Sequence, residues 1–347
     1  MGQTPREIVY LALKFQSPER LPRHTWVLPW AEKKYSSKID ELRQKYPDDI
    51  AMVPVPYLQS SRAQGDPYAE GISVDEWGCV FENIQAGIIG EVKDPIVTDI
   101  ENLDVCQPPY EILPRDVAAA KSQVNDFCRQ TDLFVLAGTT ARPWERMQFL
   151  RGTQNAMMDV IASEDAAKNL LDKIHMYYLC ELQFWADTEV DAIFFMDDWG
   201  SQNQLLISPK IWRKLFKPLY KAYCDLAHAN GKFVFMHSDG CISEIYGDLI
   251  EIGVDAINSQ LFVMDLAKLS RTARGKITFW GEIDRQHVMT AKEPMIARRA
   301  VRQIAEYLYD PLGGIIAQFE LGPGVNIENA FAIYEEWDRV KEDKNTL

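Results

Sequence analysis

Eight short apolar runs, each emptying into polar or charged residues and most followed by a helical pattern, constrain this chain more than any other feature. They lie near residues 25, 51, 134, 194, 234, 255, 278 and 316. Runs such as AIFFM at 192–196 and FVFM at 233–236 are β-branched and aromatic without alternation. That is the pattern of parallel strands covered on both faces. Eight such strands separated by amphipathic helices predict an α/β fold, a closed (β/α)8 or TIM barrel, formed by residues 1–347 as one domain.

The alternation breaks once. From about 59 to 110 the chain carries scattered Gly, Pro and Asp with little helical period. Inside this stretch EWGCVFENIQAGIIGEV, at 76–92, reads as two strands around a turn, so a β-hairpin insertion is expected after the second strand. Local signals place several helices. Thr4, Pro5 and Glu7 form a capping box with Pro at the first helical position, opening a helix through about Phe15. Ser208 and Pro209 open a long helix expected to reach about Asn230, with Gly231 as its stop.

Charge and cysteine usage narrow the function classes. With 37 basic and 51 acidic residues the net charge is −14, which argues against a phosphate-backbone partner. No window is apolar enough for a membrane span and no secretory leader is evident. The six cysteines show no C-x-x-C spacing and read as reduced thiols of a cytoplasmic protein.

In a barrel the residues that follow each strand converge over one mouth. Here they are Arg142, Asp197, Asp198, His237, Asp239, Cys241, Asn258, Gln260, Glu282, Asp284 and Glu320. Each has an ordinary structural use: Asp197 and Asp198 as caps, Arg142 as a carboxylate partner, Asn258 as a turn residue. Together, an acidic mouth with one imidazole and one thiol matches a metal site or an acid–base site. Asp198, His237 and Asp239 are the candidate catalytic groups. Arg142, Asn258, Gln260 and Glu282 are the candidate substrate contacts, and His237, Asp239 and Glu320 the candidate metal ligands.

Several stretches resemble the uroporphyrinogen decarboxylase-like family. They are PREIVYLALKFQSPERLP near the start, DEWGCVFE, PWERMQFLRG, DDWGSQNQLLISPKIWRKLFKP, HSDG, FWGEID and the closing NIEN. The resemblance runs in order along nearly the whole chain. It implies a (β/α)8 barrel, often a homodimer, with either porphyrinogen decarboxylation or corrinoid (cobalamin)-dependent methyl transfer, the latter usually with zinc. The decarboxylase branch carries an RQAGR motif after the first strand and an FSD motif after the second. Here those regions read PRHTWVLPW and MVPVPYLQS, so a polycarboxylate has no evident counter-charge. The thiol methyltransferase branch carries His-x-Cys after the fifth strand and a Cys after the eighth. Here Asp239 and the pair Phe319–Glu320 stand there instead.

A His/Asp/Glu set suits a harder divalent metal and an oxygen or nitrogen substrate. It also suits carboxylates working as acid and base with no metal. The first expectation is therefore methyl transfer between a small methylated compound and a corrinoid protein. A carboxy-lyase is the alternative, and a non-catalytic tetrapyrrole-binding barrel the third reading.

Overall fold

The computed structural model describes residues 2–344 except residue 88. Eight strands form one parallel sheet: β1 Arg23–Val27, β2 Ile50–Met52, β6 Phe134–Gly138, β7 Ala192–Met196, β8 Phe233–Ser238, β9 Ala256–Ser259, β10 Thr278–Trp280 and β11 Ile315–Leu321. Their order is β1-β11-β10-β9-β8-β7-β6-β2. This is the expected (β/α)8 barrel. Strands β6, β7, β8 and β9 are buried almost throughout, as their unbroken apolar runs require.

The seam between β1 and β2 closes through one backbone bond and two aspartate side chains rather than a ladder. Asp49 N–H donates to the Arg23 carbonyl at 2.9 Å. The Asp49 and Asp48 carboxylates accept from the backbone N–H groups of Arg23 (2.8 Å) and Thr25 (2.7 Å). Arg20 holds Asp49 with two bonds of 2.5 and 2.6 Å. Pro54 lies just past β2 and has no N–H to continue a ladder.

The insertion is a separate antiparallel sheet of β3 Gly71–Val74, β4 Val80–Asn83 and β5 Glu91–Asp94, in the order β3-β4-β5. The expected hairpin is β4–β5. The third strand, β3, escaped the sequence pattern because Gly71 and Ile72 are exposed and only Ser73 is buried. Arg146, on the helix Pro143–Arg151, ties this sheet to the barrel: it pairs with Asp75 and Glu76 and sits 4.9 Å over the Trp77 ring.

Two helical expectations need correction. The long helix after Ser208 is two, Pro209–Leu215 and Lys217–Ala229. Pro218 lacks the N–H that would bond back to Lys214, so the helix restarts there. The helix Pro29–Lys45 directly after β1 was not anticipated, since only Ala31, Ile39 and Leu42 of its residues are buried. The capping box at Thr4 forms with both reciprocal bonds. Among the described residues, no helix is long and apolar enough to cross a membrane.

Candidate functional site

Strand β8 runs through His237 and Ser238, one turn of the pleat further than its apolar run suggests. His237 therefore faces the barrel interior at its mouth, while Ser238 faces outward and its Oγ accepts from the Trp199 N–H at 3.1 Å. The His237 ring lies 5.5 Å from the Trp26 ring of β1. Trp26 in turn meets Trp280 edge-on at 5.2 Å. Aromatic rings thus form the floor on which the imidazole stands.

Asn258 sets the imidazole's orientation. Its Nδ2 donates to the Trp280 carbonyl (2.5 Å) and to Gln318 Oε1 (2.9 Å). The Asn258 Oδ1 is left to accept from His237 Nδ1 at 2.6 Å. With the proton on Nδ1, Nε2 turns to the mouth with a lone pair or a second proton. It lies 3.6 Å from Asp198 Oδ1 and 3.5 Å from Asp239 Oδ1. Burial pushes the His237 pKa down, but Asp239, Asp198 and the bond to Asn258 outweigh it, and the net shift is upward.

Two glycines bring those carboxylates together. A Cβ on Gly240 would fall 2.1 Å from the Gly200 carbonyl oxygen, and one on Gly200 2.3 Å from Cys241 N. The loops after β7 and β8 touch backbone to backbone: Gly200 N–H donates to the Asp239 carbonyl at 3.0 Å, and Cys241 N–H to Ser201 at 2.8 Å. Asp239 N–H donates to Asp198 Oδ1 at 2.9 Å, so Asp198 orients Asp239's backbone as well as facing His237. Gln260 Oε1 accepts from Gly240 N–H at 3.1 Å and braces the same turn.

The remaining sequence candidates divide. Asp197 is fully buried and caps the helix Pro143–Arg151, accepting from Trp144 N–H (2.7 Å), Glu145 N–H (2.8 Å) and the Tyr220 hydroxyl (2.5 Å). It is scaffolding. Asp284 caps its own turn through Gln286 and His287. Cys241 Sγ sits 3.7 Å from Ser243 Oγ, outside the group that His237 gathers. Asn258 holds the imidazole, and Gln260 and Glu282 line a cleft of about 100 Å³. Glu320 faces an arginine instead of joining His237 and Asp239; among the described residues, the three groups whose ligand atoms lie within 4.8 Å of one another are Asp198, His237 and Asp239.

That arginine, Arg285, escaped the sequence reading. Its Nη2 makes 2.6 Å bonds to both oxygens of Asp239. Its Nε lies 2.6 Å from Glu282 and its Nη1 3.4 Å from Glu320. Glu282 is 2% exposed; burial pushes its pKa up to about 8 against the pull of Arg285. Glu145 was missed too. Burial and the nearby Asp198 raise its pKa, opposed by Arg142 and His237. The spacing Glu282-x-x-Arg285 and the acidic first turn at Glu145 were visible signals, but both are also ordinary helix-end and turn patterns.

The residues present fit a divalent cation in one respect and resist it in another. One imidazole nitrogen and two carboxylates with an open side are a donor set for zinc or a harder first-row metal, and Asn258 supplies the outer partner that metal-binding histidines use. Asp239, however, is already held by Arg285, so full ligation requires that bond to loosen.

A barrel with perturbed acid, base and counter-ion gathered at its strand ends is an enzyme's architecture. The chain belongs to the uroporphyrinogen decarboxylase (URO-D) family, whose model matches residues 75–340. No curated protein matches it. Among solved structures, a methyltransferase from Methanosarcina mazei is 14% identical with a TM-score of 0.68, covering 97% of this chain and 99% of that one. That likeness is one of fold. Xylanase 10B from Thermotoga maritima is 12% identical, covers 97% and 99%, and has a TM-score of 0.47, too low to carry an argument.

Proposed function

We propose that this protein is a methyltransferase that moves a methyl group between a small methylated compound and a corrinoid carried by a partner protein. The observation that carries the reading is His237: its Nδ1 is committed to Asn258 and its Nε2 faces the mouth between Asp198 and Asp239. When a methyl group leaves an oxygen or nitrogen for the cobalt of the corrinoid, the electron pair stays on the heteroatom and needs a proton. Nε2, its pKa raised by the two carboxylates, holds a proton at the atom that faces the leaving group. In the reverse direction the same nitrogen takes that proton back. A divalent cation held by Asp198, Asp239 and a deprotonated His237 Nε2 would take the place of that proton, supplying Lewis-acid polarisation of the same heteroatom instead.

The fold likeness to the Methanosarcina methyltransferase supports this reading. The carboxy-lyase alternative is disfavoured by the segments after β1 and β2, which offer no arginine pair for a polycarboxylate. The test is to mix the protein with reduced cobalamin and a panel of methoxylated and N-methylated compounds, following methylcobalamin by its visible spectrum. Turnover that is lost in His237→Ala supports the proposal. Release of carbon dioxide from uroporphyrinogen, with no cobalamin methylation, overturns it.

A further inference from the structure

A second cavity lies between the inserted sheet and the helix Pro143–Arg151. Its volume is about 280 Å³, near the lower end of small-ligand sites. Its walls are largely apolar and aromatic, with Val74 and Phe81 from the insertion facing Phe149 from the helix. Two guanidinium groups reach it, and they differ. Arg146 is spoken for by Asp75 and Glu76, and the Asp75 carboxylate is further held by the N–H groups of Trp77 and Cys79. Arg142 has no such match: its Nε is buried and has no hydrogen-bond partner among the described residues.

A buried guanidinium N–H without an acceptor is costly to leave unmade and favours an acceptor brought from outside. The walls ask for an apolar body on whatever brings it. We propose that this cavity binds a small monocarboxylate with an aromatic or branched apolar body, its carboxylate on Arg142. Arg142 follows β6 and Asp198 follows β7, the neighbouring strand, and the helix that opens directly after Arg142 is capped by Asp197, the residue before Asp198. An acid anchored on Arg142 therefore extends toward the His237 group. This last step rests on the methyl-transfer reading and names its substrate class: a methylated compound that also carries a carboxylate.

The acidic neighbours make the claim specific. Asp75, Glu76 and Glu145 all lie close, so a free anion has no general reason to enter; only a directed bond to Arg142 holds it. The neutral amide of the same acid keeps the shape and loses the charge, and should bind at least tenfold more weakly.

Isothermal titration of the full chain with benzoate and with benzamide tests this without any corrinoid. The expected result is saturable benzoate binding, benzamide at least tenfold weaker, and benzoate binding lost tenfold or more in Arg142→Met but partly kept in Arg142→Lys. Equal binding of the two ligands, no saturable benzoate binding, or unchanged binding in a folded Arg142→Met overturns the proposal. The comparison of the two ligands on the wild type needs no variant to fold. Because no methyl group moves in this assay, benzoate binding through Arg142 stands even if cobalamin methylation fails, and methylation of cobalamin from an uncharged donor stands if benzoate does not bind.

Discussion

Replacing Arg285 with Gln removes the one cation that faces Asp239, Glu282 and Glu320 together. Removing one partner of a fully buried pair typically costs ~3–5 kcal/mol. Two features of this site lower that figure. The Arg285 and Asp239 side chains are 25% and 29% exposed, so water screens part of their attraction. Glu282 is deeply buried, but with its pKa already near 8 it takes up a proton at neutral pH instead of remaining a bare charge. A cost of about 1–2 kcal/mol follows, or a fall of about 1–3 °C in melting temperature for a chain of this size.

The pH dependence separates this account from a simple packing loss. The folded-state pKa of Glu282 lies above its ordinary value of 4.5. Between those two pH values the folded state binds more protons than the unfolded one, so stability falls as pH rises through about 8. Without Arg285 the Glu282 pKa climbs further, so the fall continues past pH 8, where the wild type levels off. The deficit of Arg285→Gln relative to wild type should grow from pH 5.5 to pH 8.5 in calorimetric melts. Freed from Arg285, Asp239 should also accept a divalent cation, and zinc or manganese at a hundredfold over its dissociation constant should return about 2.7 kcal/mol. A variant that melts with the wild type at every pH, and gains no more from metal, would refute the view that Arg285 is the counter-ion of this mouth.

Four further outcomes follow from the same geometry. His237→Ala should lose both activity and metal uptake, read by elemental analysis, while its circular dichroism keeps the native pattern and its stability falls by only about 1–3 kcal/mol, the cost of leaving the buried Asn258 Oδ1 without its donor. Asp197→Ala should instead cost about 3 kcal/mol or more by urea melt, since three buried donors lose their acceptor. His24 is buried, stacked on Trp280 at 5.5 Å, and burial lowers its pKa to about 3; its contribution to stability is complete above about pH 6.5 and is lost as pH falls toward 3, so the urea midpoint should drop from pH 7 to pH 5 and drop less in His24→Phe. A homodimer is expected from the family resemblance, and light scattering that gives a monomer at micromolar concentration would dismiss it.

The barrel was legible because its signal is local: a run such as AIFFM at 192–196 cannot face water on either side, and eight runs leave few other closed arrangements. The insertion was half legible for the same reason in reverse. Phe81 and Trp77 bury themselves and show a strand and an anchor, while Ile72, 71% exposed, carries no burial signal and hides β3. At the site, sequence found positions more readily than roles. Asp197 and Asp198 are adjacent, and nothing local says that the first turns inward to cap a helix from the preceding strand's loop while the second faces the imidazole. That division depends on the neighbouring loop.

The same holds for the assignments that shifted. Glu320 is a sound ligand candidate by address, since it ends β11 and shares a mouth with Asp239. What sets it apart is distance: its carboxylate lies outside the group within 4.8 Å formed by Asp198, His237 and Asp239 and faces Arg285, which lies 35 residues earlier and meets Glu320, Asp239 and Glu282 only because β8, β10 and β11 share one barrel end. A guanidinium that bridges three loops has no sequence period. Gly200 and Gly240 come nearest to a readable exception: each sits within two residues of a site aspartate, in DDWG and HSDG, and each is there because two loops must pass with no side chain between them. A glycine at both strand ends thus signals close approach, and close approach is what places Asp198 and Asp239 around one imidazole. Filling either position, as in Gly240→Ala, should part the two carboxylates and abolish metal uptake even though no ligand has been changed.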